Sequence, residues 1–422
     1  MSAAMFDVKA ECLALRGQTA GDRNYLHAHP ELSGQEENTL SWVQGRLAEL
    51  GLSAVRVEHG GLVCVLNGRE PGRRLLLRAD VDALPVEESA DNLSGPKQVV
   101  SGTAGVSHAC GHDAHTAMLL SALQVLSAHR EEWTGQIVAV FEQGEETSYG
   151  VIPLLEHLEA QFDGMDGCFA LHVYAGSPAG TLSVQPGHVM CGAAGFDVVL
   201  TGKGGHSSRP DLCNNPVDCF VSIYNDLAAV RMRHTDPNDC LTYAVGLLQG
   251  GSKSNIIPDS LRFSCLARFF DEETCGRPFL EAAKTIVEKD AQIYDCQVRY
   301  NYIMEPIPGV YNDPDCAALA QQSLRRTLGE EAVVPAGPWM ASESMAVYNT
   351  LYRGVLAFLG IQDQQGCGAP HHSGEFDLDP DLLYLGTGAI VSYAMDFLDP
   401  GFTPPPRKPS AGVLERLKKQ LM

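Results

Sequence analysis

Apolar positions along this chain change their period in a regular order. Residues 5 to 50 place Leu26, Trp42, Leu47 and Leu50 at helix-compatible spacing, interrupted by a turn at His29-Pro30. Short unbroken apolar runs follow: Leu62–Leu66, Leu75–Leu77, Ile137–Phe141 and Phe169–Leu171. Such runs, bounded by polar residues, predict strands buried on both faces. Between the second and third runs, Thr116–Leu126 is apolar-rich and predicts a helix. Alternating strand and helix implies an α/β sheet with helices on its faces.

Near residue 190 the texture becomes Gly-rich, with Gly192, Gly195 and the run Thr201-Gly-Lys-Gly-Gly-His206. Expected strands Phe196–Leu200, Leu241–Leu247 and Leu261–Phe269 then flank expected helices Pro216–Arg233 and Thr274–Lys289, which describes an inserted α+β domain. The strand pattern Val355–Leu359 and the helix pattern Leu382–Phe397 return to the first texture. The reading is a catalytic α/β domain split into residues 1–190 and 304–400, an inserted lid and dimerisation domain over 191–303, and a tail over 401–422. That tail reads as a proline-rich spacer, Pro404–Pro409, followed by a short basic amphipathic helix, Val413–Leu421, expected to pack on its own domain or on a neighbouring subunit.

Fifty-two acidic against thirty basic residues give a formal charge of −22, which repels nucleic acid and anionic membrane surfaces. No segment is apolar enough for long enough to span a bilayer, and the N-terminal residues lack the apolar stretch of a secretory signal. Thirteen cysteines, odd in number and irregularly spaced, do not form a disulfide framework and suit a reducing compartment. A cytoplasmic setting is expected.

The run His108-Ala-Cys110-Gly-His112-Asp-Ala-His115 puts thiol, imidazole and carboxylate side by side, the donors that bind borderline divalent ions. A free cysteine beside ordinary histidines is the alternative. Other chemistry-bearing residues fall where an expected strand ends or a loop begins: Asp80 and Asp82, Glu145-Glu146, His172, and His371-His372. In open α/β sheets those loops share one crevice. Adjacent glutamates at a metal can divide labour, one binding the ion and one moving a proton. Each residue also has a plainer reading, a solvated acidic loop for the glutamates and a hydrogen-bonded core residue for His172.

Taken together, Leu26–Ser33, Arg78–Pro85, His108–Thr116, Glu145-Glu146, Leu171–Val173, Gly202–Ser207, Ser254–Asp259 and His372 before Phe376-Asp377 resemble the metal-dependent amidohydrolases of the hippurate hydrolase, aminoacylase and indole-3-acetyl-amino-acid hydrolase group. The resemblance implies two divalent metal ions, manganese or zinc with cobalt or nickel also suitable, held by Cys110, His112, Glu146, His172 and His372, with Cys110 able to bridge. It implies Glu145 as general base and then acid, and Asp82 as a carboxylate orienting an imidazole. His206 of the lid would stabilise the oxyanion, from a partner subunit in a homodimer or higher homo-oligomer. Asn255 and Arg268 would hold the substrate. His372 fits the pattern by its spacing to Phe376-Asp377, whereas His371 stands where the family usually has an apolar residue. His108 and His115 are assigned to helix-start packing. Gln143-Gly144, in place of the usual Pro-Ala, is expected to line the crevice.

The implied reaction is hydrolysis of the amide joining an acyl or aryl-acyl group to an amino acid, or of a related short peptide bond. The alternatives are a dipeptidase or carboxypeptidase of the same family, or a non-catalytic ligand-binding member. Ser94-Gly-Pro-Lys97 does not make a serine–lysine site, because Pro96 opposes the helix that would align the pair.

Overall fold

The computed structural model describes residues 6–404, 406 and 412–421. The chain forms two compact units. The first draws on the described residues within Met1–Val189, Tyr311–Gly337 and Glu343–Leu414, and the second on those within Met190–Val310, Pro338–Ser342 and Glu415–Met422.

The first unit is built on a seven-stranded mixed sheet in the order Ala54–Val57, Gly61–Asn67, Gln136–Glu142, Arg74–Asp80, Gly167–Pro178, Gly354–Gln362, Leu182–Ser183. Its four central neighbours, from Gln136–Glu142 to Gly354–Gln362, run parallel, so their carboxyl ends open on one edge. The outer pairs are antiparallel. These central strands are apolar almost without interruption because both faces are covered. The helix Leu383–Leu398 is apolar on all sides and buried on all sides, with Tyr393 stacked on Phe169 at 4.6 Å between ring centroids.

Two boundaries differ from the pattern reading, and both matter at the site. The strand bearing His172 does not stop there; it runs on to Pro178, because Phe358, Leu359 and Gly360 of the neighbouring strand continue to pair with His172, Val173 and Tyr174. The helix predicted from Thr116 begins at His112. Gly111 starts it from a left-handed conformation, φ 90°, where a Cβ would sit 2.4 Å from Val173 Cγ2. Only glycine fits, and the resulting turn separates Cys110 in the loop from His112 on the first helical residue.

The second unit is a four-stranded antiparallel sheet, in the order Leu241–Gly250, Ser260–Phe269, Gly192–Thr201, Gln297–Ile307. Helices Pro216–His234 and Arg277–Ile293 cover one face. Strand Ser260–Phe269 alternates between outward and buried positions with period two, and its inward Phe263 and Phe269 meet Phe196, Phe220 and Phe279 in one core. The helix predicted from Thr274 starts instead at Arg277, after a wide turn over Glu272–Gly276. The described residues of the C-terminal helix Val413–Leu421 from Glu415 onward belong to this unit: Leu417 is buried, and Gln420 Nε2 donates to Glu272 Oε1 and to the Pro306 carbonyl, at 2.6 and 2.8 Å. Of the expected spacer, residues 405 and 407–409 lie outside the described residues.

Candidate metal centre and the residues around it

At the open edge of the first unit's sheet, ligand-type atoms converge from four segments. Cys110 Sγ, a ring nitrogen of His112 and one of His172 lie within 4.8 Å of one another; so do Cys110, Glu146 and His372, and so do His112, Glu145 and Glu146. All belong to the first unit. Cys110, His112, Glu145 and His172 are buried, while His372 is about half exposed on a loop tied back by its backbone N–H to the Ala109 carbonyl. His372 adopts φ 64°, a left-handed conformation that is costly for a residue with a Cβ and is held by that loop.

The tautomers of two histidines follow from their outer partners. His112 Nδ1 lies 3.0 Å from Asp82 Oδ1, and His172 Nδ1 lies 2.5 Å from the Val173 carbonyl. Each outward nitrogen carries the proton and each Nε2 turns to the centre. Asp82 also accepts from Ser33 Oγ at 2.6 Å and from the Glu146 backbone at 3.1 Å, so one carboxylate braces both His112 and Glu146. Among the described residues, His112 Nε2 and Glu146 Oε1 are buried polar atoms with no hydrogen-bond partner, 3.8 Å apart. Unpartnered polar atoms on a converging thiol, imidazole and carboxylate set are what a divalent ion would satisfy. The residues fit a metal.

Glu145 is nine-tenths buried, and its Oε1 accepts the Ser344 N–H at 2.8 Å. Burial, then the negative charges of Glu343 and Glu146, hold its carboxyl well above the usual range, against the pull of Arg78 and His112. Such a carboxyl is suited to taking and returning a proton. Burial also pushes the Cys110 thiol up, so coordination must drive off its proton.

Residues beyond those to which the resemblance gave a catalytic, substrate or metal role also shape this centre. Arg78, fully buried, pairs with Glu142 and Asp80 at 2.8 Å and with Glu343 at 3.0 Å. Glu343 in turn puts its other oxygen 3.9 Å from His172 Nε2. His115 does more than pack: its Nδ1 lies 2.6 Å from Asp80 Oδ1, and its Nε2 accepts the Val173 N–H at 2.9 Å. Both of its nitrogens are committed, so the trio Asp80, His112 and His115 is no further ion site. His371, beside the chosen His372, lies 3.8 Å from Cys110 Sγ. Adjacent acids in Arg78-Ala-Asp-Val-Asp82 pointed to Asp80; nothing local pointed to Glu343, which arrives from 200 residues downstream. His108 is buried with both ring nitrogens unpartnered among the described residues. Gln143 is buried as well, its amide donating to Glu36 at 2.7 Å and the Gly144 N–H donating to the same carboxylate at 2.8 Å. That pair braces the Glu145 loop from beneath.

The remaining expected residues lie in the second unit. His206 is exposed, pairs with Ile256 in a two-residue ladder and has Ser208 Oγ 2.8 Å from its Nδ1; the Asn255 carbonyl accepts the Ser207 N–H, so His206 and Asn255 are neighbours. Arg268 donates to Ser342 Oγ.

A parallel-centred sheet with this donor cluster at its carboxyl edge defines a hydrolase that works on metal-held water. The chain belongs to peptidase family M20/M25/M40, whose family model matches residues 76–396. It is 32% identical to the Arabidopsis thaliana IAA-amino acid hydrolase ILR1-like 2, over 89% of this chain and 84% of that one. It is 30% identical to thermostable carboxypeptidase 1 of Saccharolobus solfataricus, over 89% and 94%. Among solved structures it is similar to the Bacillus subtilis YXEP protein, a dinuclear metal-binding peptidase of the M20 family, with TM-score 0.77 and 26% identity, covering 92% of this chain and 99% of that one. This chain is a metal-dependent hydrolase of amide bonds.

Proposed function

We propose that the protein hydrolyses the amide bond of N-acyl or aryl-acyl amino acids, with the residues of the first unit's centre as its machinery. The observation that carries this reading is the convergence of His112 Nε2 and Glu146 Oε1, 3.8 Å apart and neither making a hydrogen bond among the described residues, with His372 Nε2 3.4 Å from the same Glu146 oxygen and with Cys110 and Glu145 beside them. Cys110, His112, Glu146, His172 and His372 hold two divalent ions, manganese or zinc, which when bound lower the pKa of water and polarise the carbonyl. Glu145 takes the proton of the attacking water and delivers it to the departing amine. Its contact with the Ser344 N–H fixes one oxygen and leaves the other to reach the reacting atoms. Asp82 orients His112 and steadies Glu146. His206 and Asn255 serve the oxyanion and the substrate carboxylate, with Arg268 as a further carboxylate partner, and His206 acts across a homodimer. Thirteen free thiols among the described residues support a reducing, cytoplasmic setting. Among the described residues no helix is long and apolar enough to cross a membrane.

The test is amine release by metal-stripped protein, resupplied with manganese or zinc, from N-acetyl, N-benzoyl and indole-acetyl amino acids alongside dipeptides. Metal-restored release from acyl amino acids supports the proposal. Release from dipeptides alone would replace it with a peptidase, and no release with two ions bound would refute it.

A further inference from the structure

We propose that His371 is a hydrogen-bond donor to the Cys110 sulfur, tuning the thiolate that Cys110 would offer to a bound ion. The inference rests on the reading of Cys110 as a ligand. Its basis is the handedness of the imidazoles. His112 and His172 give their outer Nδ1 to Asp82 and to the Val173 carbonyl and turn Nε2 inward. His371 is mounted the other way round: its Nε2 accepts the backbone N–H of Ala175 at 3.1 Å, and its Nδ1 lies 3.8 Å from Cys110 Sγ. A ring nitrogen that accepts an N–H carries no proton, so the proton of His371 is on Nδ1, on the side of the sulfur. The ring therefore has no inward lone pair with which to bind an ion; it has a donor to offer.

The mounting of the ring is rigid. Phe376 packs against it at 5.0 Å between centroids, Tyr174 lies nearly parallel at 6.3 Å, and His172 meets it edge-on at 5.5 Å. The Cys110 carbonyl also accepts from this ring, so the donor is shared between two atoms of one residue. A hydrogen bond to a thiolate withdraws electron density from sulfur and lowers the energy of its lone pairs, which weakens donation to a bound ion and fixes the sulfur's position. His372, the next residue, instead turns its Nε2 toward Glu146 at 3.4 Å, so adjacent histidines on one loop serve opposite purposes.

Cobalt(II) makes the sulfur visible through its thiolate-to-metal charge-transfer band. The band is to be compared in cobalt-loaded parent, His371→Leu, His371→Met and His371→Gln proteins, with cobalt content measured for each. Removing the donor in the Leu and Met variants is expected to move the band to longer wavelength, and His371→Gln, whose amide can donate to sulfur, is expected to move it back. An unmoved band in either donor-less variant that holds cobalt would overturn the proposal, because the ring would then serve only the Cys110 carbonyl. Loss of cobalt from both would overturn it too, by making the ring a ligand or a structural support. A parent protein with cobalt bound and no thiolate band would instead sink Cys110 as a ligand, which keeps the two failures apart.

Discussion

The backbone N–H of Val173 donates to Nε2 of His115 at 2.9 Å, and through that imidazole the strand bearing His172 is tied to Asp80, 2.6 Å from the ring's other nitrogen. A side chain at the start of one helix thus sets the position of a backbone on the next strand. Removing it in His115→Ala leaves a carboxylate oxygen and a backbone N–H without partners in the interior, a loss of about 2 to 4 kcal/mol. Denaturant unfolding of the metal-stripped variant should show that loss, while elemental analysis of the loaded variant shows unchanged metal. Lost metal with unchanged stability would mean that His115 is a ligand after all.

Glu145→Gln keeps the size and the contact with Ser344 but cannot move a proton. Turnover should fall by about 10²- to 10⁴-fold, the usual contribution of a positioned acid–base group, with both ions retained. A variant that turns over at the parent rate would remove Glu145 from the mechanism.

Asp82 carries the orientation of His112 and of the Glu146 backbone at once. In Asp82→Asn, metal affinity should fall by about 10- to 100-fold, as for other outer partners of ligating histidines. Competition with a chromophoric chelator measures this directly. Cys110→Ala in the same assay should bind fewer ions, and full occupancy there would refute the thiolate as a ligand.

Glu36 supplies a pH signature away from the ions. Burial pushes its carboxyl up to about 7 from an ordinary 4.5, against the hydrogen bond from Gln143, and the nearby negative charge of Asp82 adds to the shift. The folded chain therefore keeps a proton that the unfolded chain has lost. This contribution to stability is complete below pH 4.5, declines as pH rises to about 7 and is level above, amounting to on the order of 3 kcal/mol. Unfolding free energies measured from pH 4.5 to 8 should show that decline in the parent relative to Glu36→Gln. Parallel profiles for the two proteins would falsify the assignment.

The clearest features in the sequence were those whose chemistry or periodicity is local. The Cys-Gly-His turn is a short-range constraint: glycine between two donors readily adopts the left-handed turn, and Gly111 does so at φ 90°, where a Cβ would also collide with Val173. The apolar runs identify the central strands because a strand covered on both faces is apolar along most of its length, its polar residues falling where the site is built, as Arg78, Asp80, Glu142 and His172 do. The end of the His172 strand was not legible, since its extension to Pro178 is driven by pairing with a strand 180 residues away. Asp82 was named from a motif, and the distance to His112 Nδ1 now gives that motif a physical content.

What the sequence by itself determined is the family, the amide-hydrolysing activity and the alternation of strand and helix, because residue type and local period can be read along the chain; for the metal it named candidate donors. What only the tertiary structure decided is which nitrogen of each histidine faces the centre. His112, His115, His172 and His371 are the same side chain in the sequence, yet the proton of each is fixed on one ring nitrogen by a different neighbour: Asp82, Asp80 and the Val173 carbonyl accept it from Nδ1 of the first three, and the Ala175 N–H, by donating to Nε2 of His371, leaves it on Nδ1 there. An imidazole is a donor on one side and an acceptor on the other, and only its neighbours in space choose which side is which.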